Sequence, residues 1–112
     1  MIKKSFGAVL TGTPATIYTV PTGKKAEWVL LYVTNTSGST SHFSVRIWNE
    51  ANQAYIQMFS NYSLAASGFF KIGGGENEFV MLAEGDKIEA LDGAGMTLVV
   101  SVIEYNDILK GG

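Results

Sequence analysis

Short runs in which hydrophobic and polar residues alternate fill most of this chain. They are rich in Val, Ile, Thr, Tyr, Phe and Trp and are separated by clusters of Gly, Pro, Asn, Asp and Ser. Because side chains of a strand point alternately to its two faces, this period of two predicts β-strands. The predicted strands are 5–11, 15–20, 26–35, 42–49, 54–60, 67–72, 77–82, 86–91 and 96–105. Eight or nine short strands at this spacing predict one all-β domain over residues 1–112, an antiparallel β-sandwich or jelly roll.

One segment, "NQAYIQMFSNYSLAA" at 52–66, allows two interpretations. Its apolar positions fit one face of a helix passably, but "AYIQMFS" also alternates and lies between Asn-rich turn signals. We predict a strand here, with a helix as the alternative.

Composition and charge exclude several classes of protein. The chain has no cysteine, which excludes disulfides, thiolate zinc sites and a thiol nucleophile. A net charge of −2 does not indicate binding to nucleic acid or to an anionic membrane.

The start, "MIKKSFGAVLTGTPA", resembles a secretory signal, but its apolar run from Phe6 to Leu10 is shorter than the roughly 7 to 15 residues of a signal core. No run approaches the ~18 apolar residues of a membrane span, so we expect a chain that is soluble when made.

The sequence offers no clear catalytic or metal-binding motif. His42 is the only histidine, there is no G-x-S-x-G, and "GGGEN" at 73–77 lacks the lysine and helix of a phosphate-binding loop. The acids of "EGDKIEALDG" could hold calcium through oxygen ligands or supply a pair of hydrolytic carboxylates, although "EGD" is a good tight-turn sequence. They are Glu84, Asp86, Glu89 and Asp92. We assign no catalytic, cofactor or metal residue and predict a protein that is not an enzyme.

Three predicted strands are apolar on both faces. In 26–35, strict alternation would place two apolar sets on opposite faces: Trp28, Leu30 and Tyr32 on one, and Val29, Leu31 and Val33 on the other. The strands 42–49 and 96–105 share this property. Together they predict a contiguous apolar patch of the kind that marks a protein interface, although long loops over a thick core are an alternative. The residues expected to line the contacts are Trp28, Trp48, Val99 and Ile103.

A second hypothesis concerns exposed aromatic side chains. Trp48, Tyr55 and Tyr105 could form a platform on which sugar rings stack, because aromatic faces suit the apolar side of a pyranose. This would make the chain a carbohydrate-binding sandwich.

The series "TIYTVPTGKKAEWVLLYVTNTSGS", "LAEGDKIEA" and "VVSVIEY" resembles a group of small virion structural proteins of tailed bacteriophages. Members of that group carry a "YTVPxGK" turn, an "NTSGS"-like turn one strand later, a "GDxI" turn, and a closing strand that ends in Glu and a hydrophobic residue. The likeness runs from Thr16 to Tyr105, but "NEANQAYIQMFSNYSLAASGFF" matches no pattern of the group.

The resemblance implies a non-enzymatic β-sandwich that is made in the host cytoplasm and built into a phage particle. The expected role is that of a capsid decoration (cement) protein on the capsid surface, bound to the major capsid protein and to copies of itself, with a trimer favoured. A component of the neck, tail or fibre base is the alternative. Residues 1–4 and 107–112 are expected to act as arms, the second presenting Ile108 and Leu109.

Overall fold

The computed structural model describes residues 2–73 and 80–106, which form nine β-strands and no helix. The strands are β1 (Ile2–Val9), β2 (Ala15–Thr19), β3 (Lys24–Asn35), β4 (Ser41–Asn49), β5 (Ala54–Leu64), β6 (Phe69–Gly73), β7 (Val80–Leu82), β8 (Lys87–Asp92) and β9 (Met96–Asn106). The predicted all-β fold is confirmed. The ambiguous segment 52–66 contains the strand β5, as predicted, rather than a helix.

The strands form two antiparallel sheets that pack face to face. The five-stranded sheet has the order β1-β9-β3-β6, and β7 continues beyond β6 along the same side of β3. The four-stranded sheet has the order β2-β8-β4-β5. The first strand therefore pairs with the last, and several consecutive strands lie in different sheets, as in a jelly roll. The largest side chains buried between the sheets are Trp28, Phe43, Leu31, Ile88, Met96 and Leu98.

A β-bulge in β3 corrects the predicted faces of this strand. Its pairing with β9 shifts between Trp28 and Leu30, so that one extra residue, Val29, lies in the strand. As a result Trp28 points into the core together with Leu31 and Val33, rather than away from them. Strict alternation was wrong here because an inserted residue moves all later side chains to the opposite face.

Gly73 lies opposite this bulge, where it pairs with Leu30. Its φ is 84°, and a Cβ at this position would collide with the carbonyl oxygen of Val29. Only glycine fits such a close approach of two backbones without strain. The bulge and the glycine therefore belong together, and they mark the end of β6.

Asn35 joins two turns at one end of the sandwich. Its buried side-chain amide donates to the carbonyl oxygens of Ser39, Leu64 and Ala65, and its Oδ1 accepts hydrogen bonds from the backbone N–H and hydroxyl of Ser37. All the polar atoms of one buried amide are thus satisfied. This contact holds the "NTSGS" turn against the connection from β5 to β6.

Candidate interaction surfaces

The outer face of the five-stranded sheet, the side that points away from the core, carries an apolar patch. Gly7, Val99, Tyr32 and Lys71 lie side by side across β1, β9, β3 and β6. The ring of Phe69 stacks on Tyr32 with centroids 5.7 Å apart and planes 7° from parallel. Val99 is 37% exposed beside a glycine that has no side chain to cover it. Val99, Tyr32 and Phe69 thus form an apolar row on this face, beside the exposed Lys71.

Two pairs of polar side chains on this outer face are hydrogen-bonded to each other, and Lys3, Lys25 and Lys71 lie on the same face. The hydroxyls of Ser5 and Ser101 lie 2.7 Å apart, and Tyr105 donates a 2.7 Å hydrogen bond to Glu27. The half-buried Ile103 lies beside Glu27. Because these polar groups already have partners, another protein could cover the face without leaving them unsatisfied.

The structure separates the residues predicted to line one interface. Val99 and Ile103 lie on the outer face of the five-stranded sheet, whereas Trp48 lies on that of the four-stranded sheet. The prediction that Trp28 lines a contact is wrong. This side chain is 0% exposed in the core, and its indole N–H donates to the carbonyl of Leu30 at 2.9 Å, so it offers no surface to a partner. Ile108 and Leu109 lie outside the described residues, as do 107–112 as a whole.

Trp48 and Tyr55 meet edge to face on the four-stranded sheet, with centroids 4.9 Å apart. The Arg46 guanidinium carbon lies 3.6 Å from the centre of the Tyr55 ring, and its Nε and Nη2 both lie 2.9 Å from Glu89 Oε1. One face of Tyr55 is therefore covered by a cation. Tyr105 lies on the opposite sheet, so the predicted three-residue platform is reduced to two.

The four acids considered for calcium have separate partners. Asp86 accepts hydrogen bonds from the backbone N–H groups of Ala83 and Glu50 and so shapes the turn before β8. Glu89 binds Arg46 on the outer face. The other two bind elsewhere, Glu84 to the Gly23 N–H and Asp92 to the Ser44 hydroxyl. Within 2–73 and 80–106, no three His, Cys, Asp or Glu residues converge as a metal site.

The sandwich has two flanks, the sides on which an edge strand of one sheet faces an edge strand of the other. The flank between β1 and β2 is closed by Tyr18, Glu104 and Lys4. The Tyr18 hydroxyl donates a 2.6 Å hydrogen bond to Glu104 Oε2, and Lys4 Nζ lies 3.0 Å from Glu104 Oε1. This network joins the two sheets, because Tyr18 belongs to one and Glu104 to the other.

The network changes the acidity of both acids. Burial alone would raise the pKa of Glu104, but hydrogen bonds from Tyr18 and Lys4, together with the charges of Lys4 and Lys24, outweigh it and hold this pKa below its usual value. Burial raises the pKa of Tyr18 far above its usual value, and the hydrogen bond to the Glu104 carboxylate and its negative charge raise it further. Both shifts favour the ionised carboxylate beside the neutral phenol.

The β5–β6 flank is aromatic. Phe43, Phe59, Tyr62 and Phe70 contact one another, with the closest pair, Tyr62 and Phe70, 4.7 Å apart between centroids. Sequence reasoning missed this surface, although its signal is visible: residues 51–70 contain no Asp, Glu, Lys or Arg. The segment 51–70, which supplies three of these four rings, is thus uncharged.

No known protein family matches this sequence, and no curated protein is significantly similar to it. In the part of the chain that the structure describes, no helix is long and apolar enough to cross a membrane.

Proposed function

We propose that this chain is a structural protein of a tailed-phage particle and acts as a capsid decoration (cement) protein. The observation that carries the proposal is the apolar row on the outer face of the five-stranded sheet, formed by Val99, Tyr32 and Phe69. In this role the protein catalyses no reaction. It binds the major capsid protein on the capsid surface and holds neighbouring capsid subunits together.

The outer face approaches the area that such a contact requires. Four strands spaced about 4.8 Å apart, with a mean length of about 30 Å, offer on the order of 600 Å². Specific protein interfaces bury about 800 Å² on each partner, so the contact would cover the whole face and extend beyond it. A capsid presents the same site many times, and each copy can therefore bind weakly while the layer as a whole is stable.

Sedimentation with empty capsids tests this proposal. The capsids would be assembled from the major capsid protein of the phage that carries this gene, and the purified chain added in excess. We expect it to pellet with the capsids, and we expect Val99→Lys to weaken binding at least tenfold, because a charge would be buried in an apolar contact. Thr16→Lys, an exposed change on the other sheet, is the matched control.

A chain that stays in the supernatant at all concentrations would refute the decoration role. Mass spectrometry of separated heads, necks and tails would then show whether the chain belongs to the neck, tail or fibre base, which is the alternative position.

A second candidate function is carbohydrate binding, which the contact between Trp48 and Tyr55 favours. Tyr55 is 50% exposed and could contact a sugar ring while Arg46 holds one of its faces. Retention of the chain on immobilised polysaccharides, lost in both Tyr55→Ala and Trp48→Ala, would support it. Equal elution of wild type and variants would exclude it.

A further inference from the structure

We infer that the β5–β6 flank packs against a second copy of this chain across a two-fold axis. The flank consists of β5, the start of β6 and the aromatic side chains between them. The inference rests on this flank alone and holds whether or not the chain belongs to a capsid.

β5 is an edge strand that exposes apolar side chains. Among the described residues, β5 is hydrogen-bonded on one side only, to β4. Ile56 and Tyr62 pair with the core-facing residues Ile47 and Phe43 of β4, yet they are 48% and 42% exposed. Tyr55 is 50% exposed on the other side of the strand. The core of a protein interface is enriched in aromatic residues and depleted of charged residues. A free strand with this surface is a liability unless something covers it.

The other flank shows how this protein protects an edge strand that remains free. β1 carries Lys3 and Lys4, and lysine on an edge strand opposes the pairing of one sheet with another. β5 is longer than β1 and has no charged residue at all. This difference between the two edge strands indicates that another molecule covers the β5 edge.

The absence of charge from this flank segment bears on the identity of the partner. In a two-fold contact the residues near the axis lie close to their own copies, so any charge there faces a like charge and destabilises the pair. A surface that binds a different protein does not have this restriction and gains specificity from complementary charges. Charged residues make up 16% of the chain, yet 51–70 has neither sign. Self-association accounts for the absence of both positive and negative side chains from this segment.

The contact would consist mainly of packed side chains. The pairing of β4 with β5 shifts between Phe43 and Arg46, and Asn61 has a φ of 51°. These irregularities bend the middle of β5 and interrupt a continuous ladder with another strand. A strand of this length extends about 37 Å, and with the facing edge of β6 the flank offers on the order of 500 Å². This is near the lower end for specific association, so we expect a dimer that dissociates on dilution.

Light scattering after size-exclusion chromatography, over a dilution series, tests the inference. We expect wild type to have twice the chain mass at high concentration and to dissociate on dilution. Ser60 is exposed near the middle of β5, and its two copies would lie close to the axis. Ser60→Glu and Ser60→Lys should each weaken the dimer at least tenfold through like-charge repulsion. An equimolar mixture of the two variants should recover the dimer, because the charges then attract.

The matched control is Thr16→Lys, which adds a charge at an exposed position of β2, away from both proposed surfaces, and should leave the dimer intact. Each variant must first show the wild-type thermal transition. A monomer at all concentrations, a dimer that both Ser60 variants retain, or a trimer built from two different surfaces would overturn the inference. These outcomes are independent of capsid sedimentation, so this inference and the proposed function can fail separately.

Discussion

The two flanks of this sandwich are closed by opposite means. The β1–β2 flank joins the sheets through one hydroxyl, one carboxylate and one ammonium group, formed by Tyr18, Glu104 and Lys4. The β5–β6 flank joins them through four aromatic rings and contains no charge in 51–70. The same problem, sealing the edge of a two-layer core, thus has a polar and an apolar solution in one molecule.

The two flanks differ in their response to pH and in the surface that they present to other molecules. A charged hydrogen-bonded network needs one geometry and loses its partners when a proton is added or removed, so it responds to pH. Aromatic packing is insensitive to pH, and its outer surface remains apolar. The polar flank is therefore suited to end the sheet, and the aromatic flank to continue into another molecule.

The largest effect should come from the aromatic flank. Phe43 is fully buried and contacts Phe59, Tyr62 and Phe70. Phe43→Ala should lower the free energy of unfolding by about 3–5 kcal/mol, because it removes a large side chain and leaves a cavity. Urea denaturation followed by fluorescence measures this. A loss below about 1 kcal/mol would mean that the rings are not part of the folded core.

A smaller loss is expected on the polar flank. Glu104→Ala leaves the buried Tyr18 hydroxyl without its acceptor, which should cost about 1–3 kcal/mol in the same urea experiment. Lys4 is 43% exposed and can return to water, so Lys4→Met should cost less than about 1 kcal/mol. Equal losses for the two variants would show that the ion pair, and not the tyrosine hydrogen bond, carries the stability of this flank.

The pH dependence of stability should distinguish the flanks directly. The pKa of Glu104 is lower in the folded chain than its usual 4.5, so its contribution is present above that value and is lost as pH falls through the folded pKa. The pKa of Tyr18 is raised from 10.0, so its contribution is present below pH 10 and is lost as pH rises further. Urea midpoints of wild type should therefore decline at both extremes.

Glu104→Gln is the variant that isolates this effect. It should flatten the acid decline relative to wild type, because the group that titrates is gone. Phe70→Leu, on the aromatic flank, should lower stability by a similar amount at every pH. An unchanged acid decline in Glu104→Gln would assign it to other carboxylates.

The smallest effect on folding should come from an exposed residue of β5. Ile56 is about half exposed, and Ile56→Gln should change the free energy of unfolding of the monomer by less than about 0.5 kcal/mol. The same change should weaken the dimer measurably in light scattering, since the side chain lies in the proposed contact. A large loss of monomer stability would place Ile56 in the core and remove it from the interface argument.

Most of the strands could be predicted from the sequence because alternation and turn residues are local properties. The face of Trp28 could not, since the bulge at Val29 depends on how β3 pairs with β9 and how Gly73 approaches it. The pair of Trp48 and Tyr55 was recognisable as exposed aromatics on neighbouring strands, but the distance of Tyr105 from them depends on which sheet each strand joins.

By itself, the sequence determined the all-β class, the approximate strand boundaries and the uncharged run at 51–70, because each follows from the residue types along one segment. Only the tertiary structure decided strand order, the bulge, the Tyr18–Glu104 contact and the exposure of β5. These depend on residues far apart in sequence, here separated by 86 positions for Tyr18 and Glu104. Local preferences specify which segments extend, whereas burial and hydrogen bonding between distant segments determine which surfaces remain open.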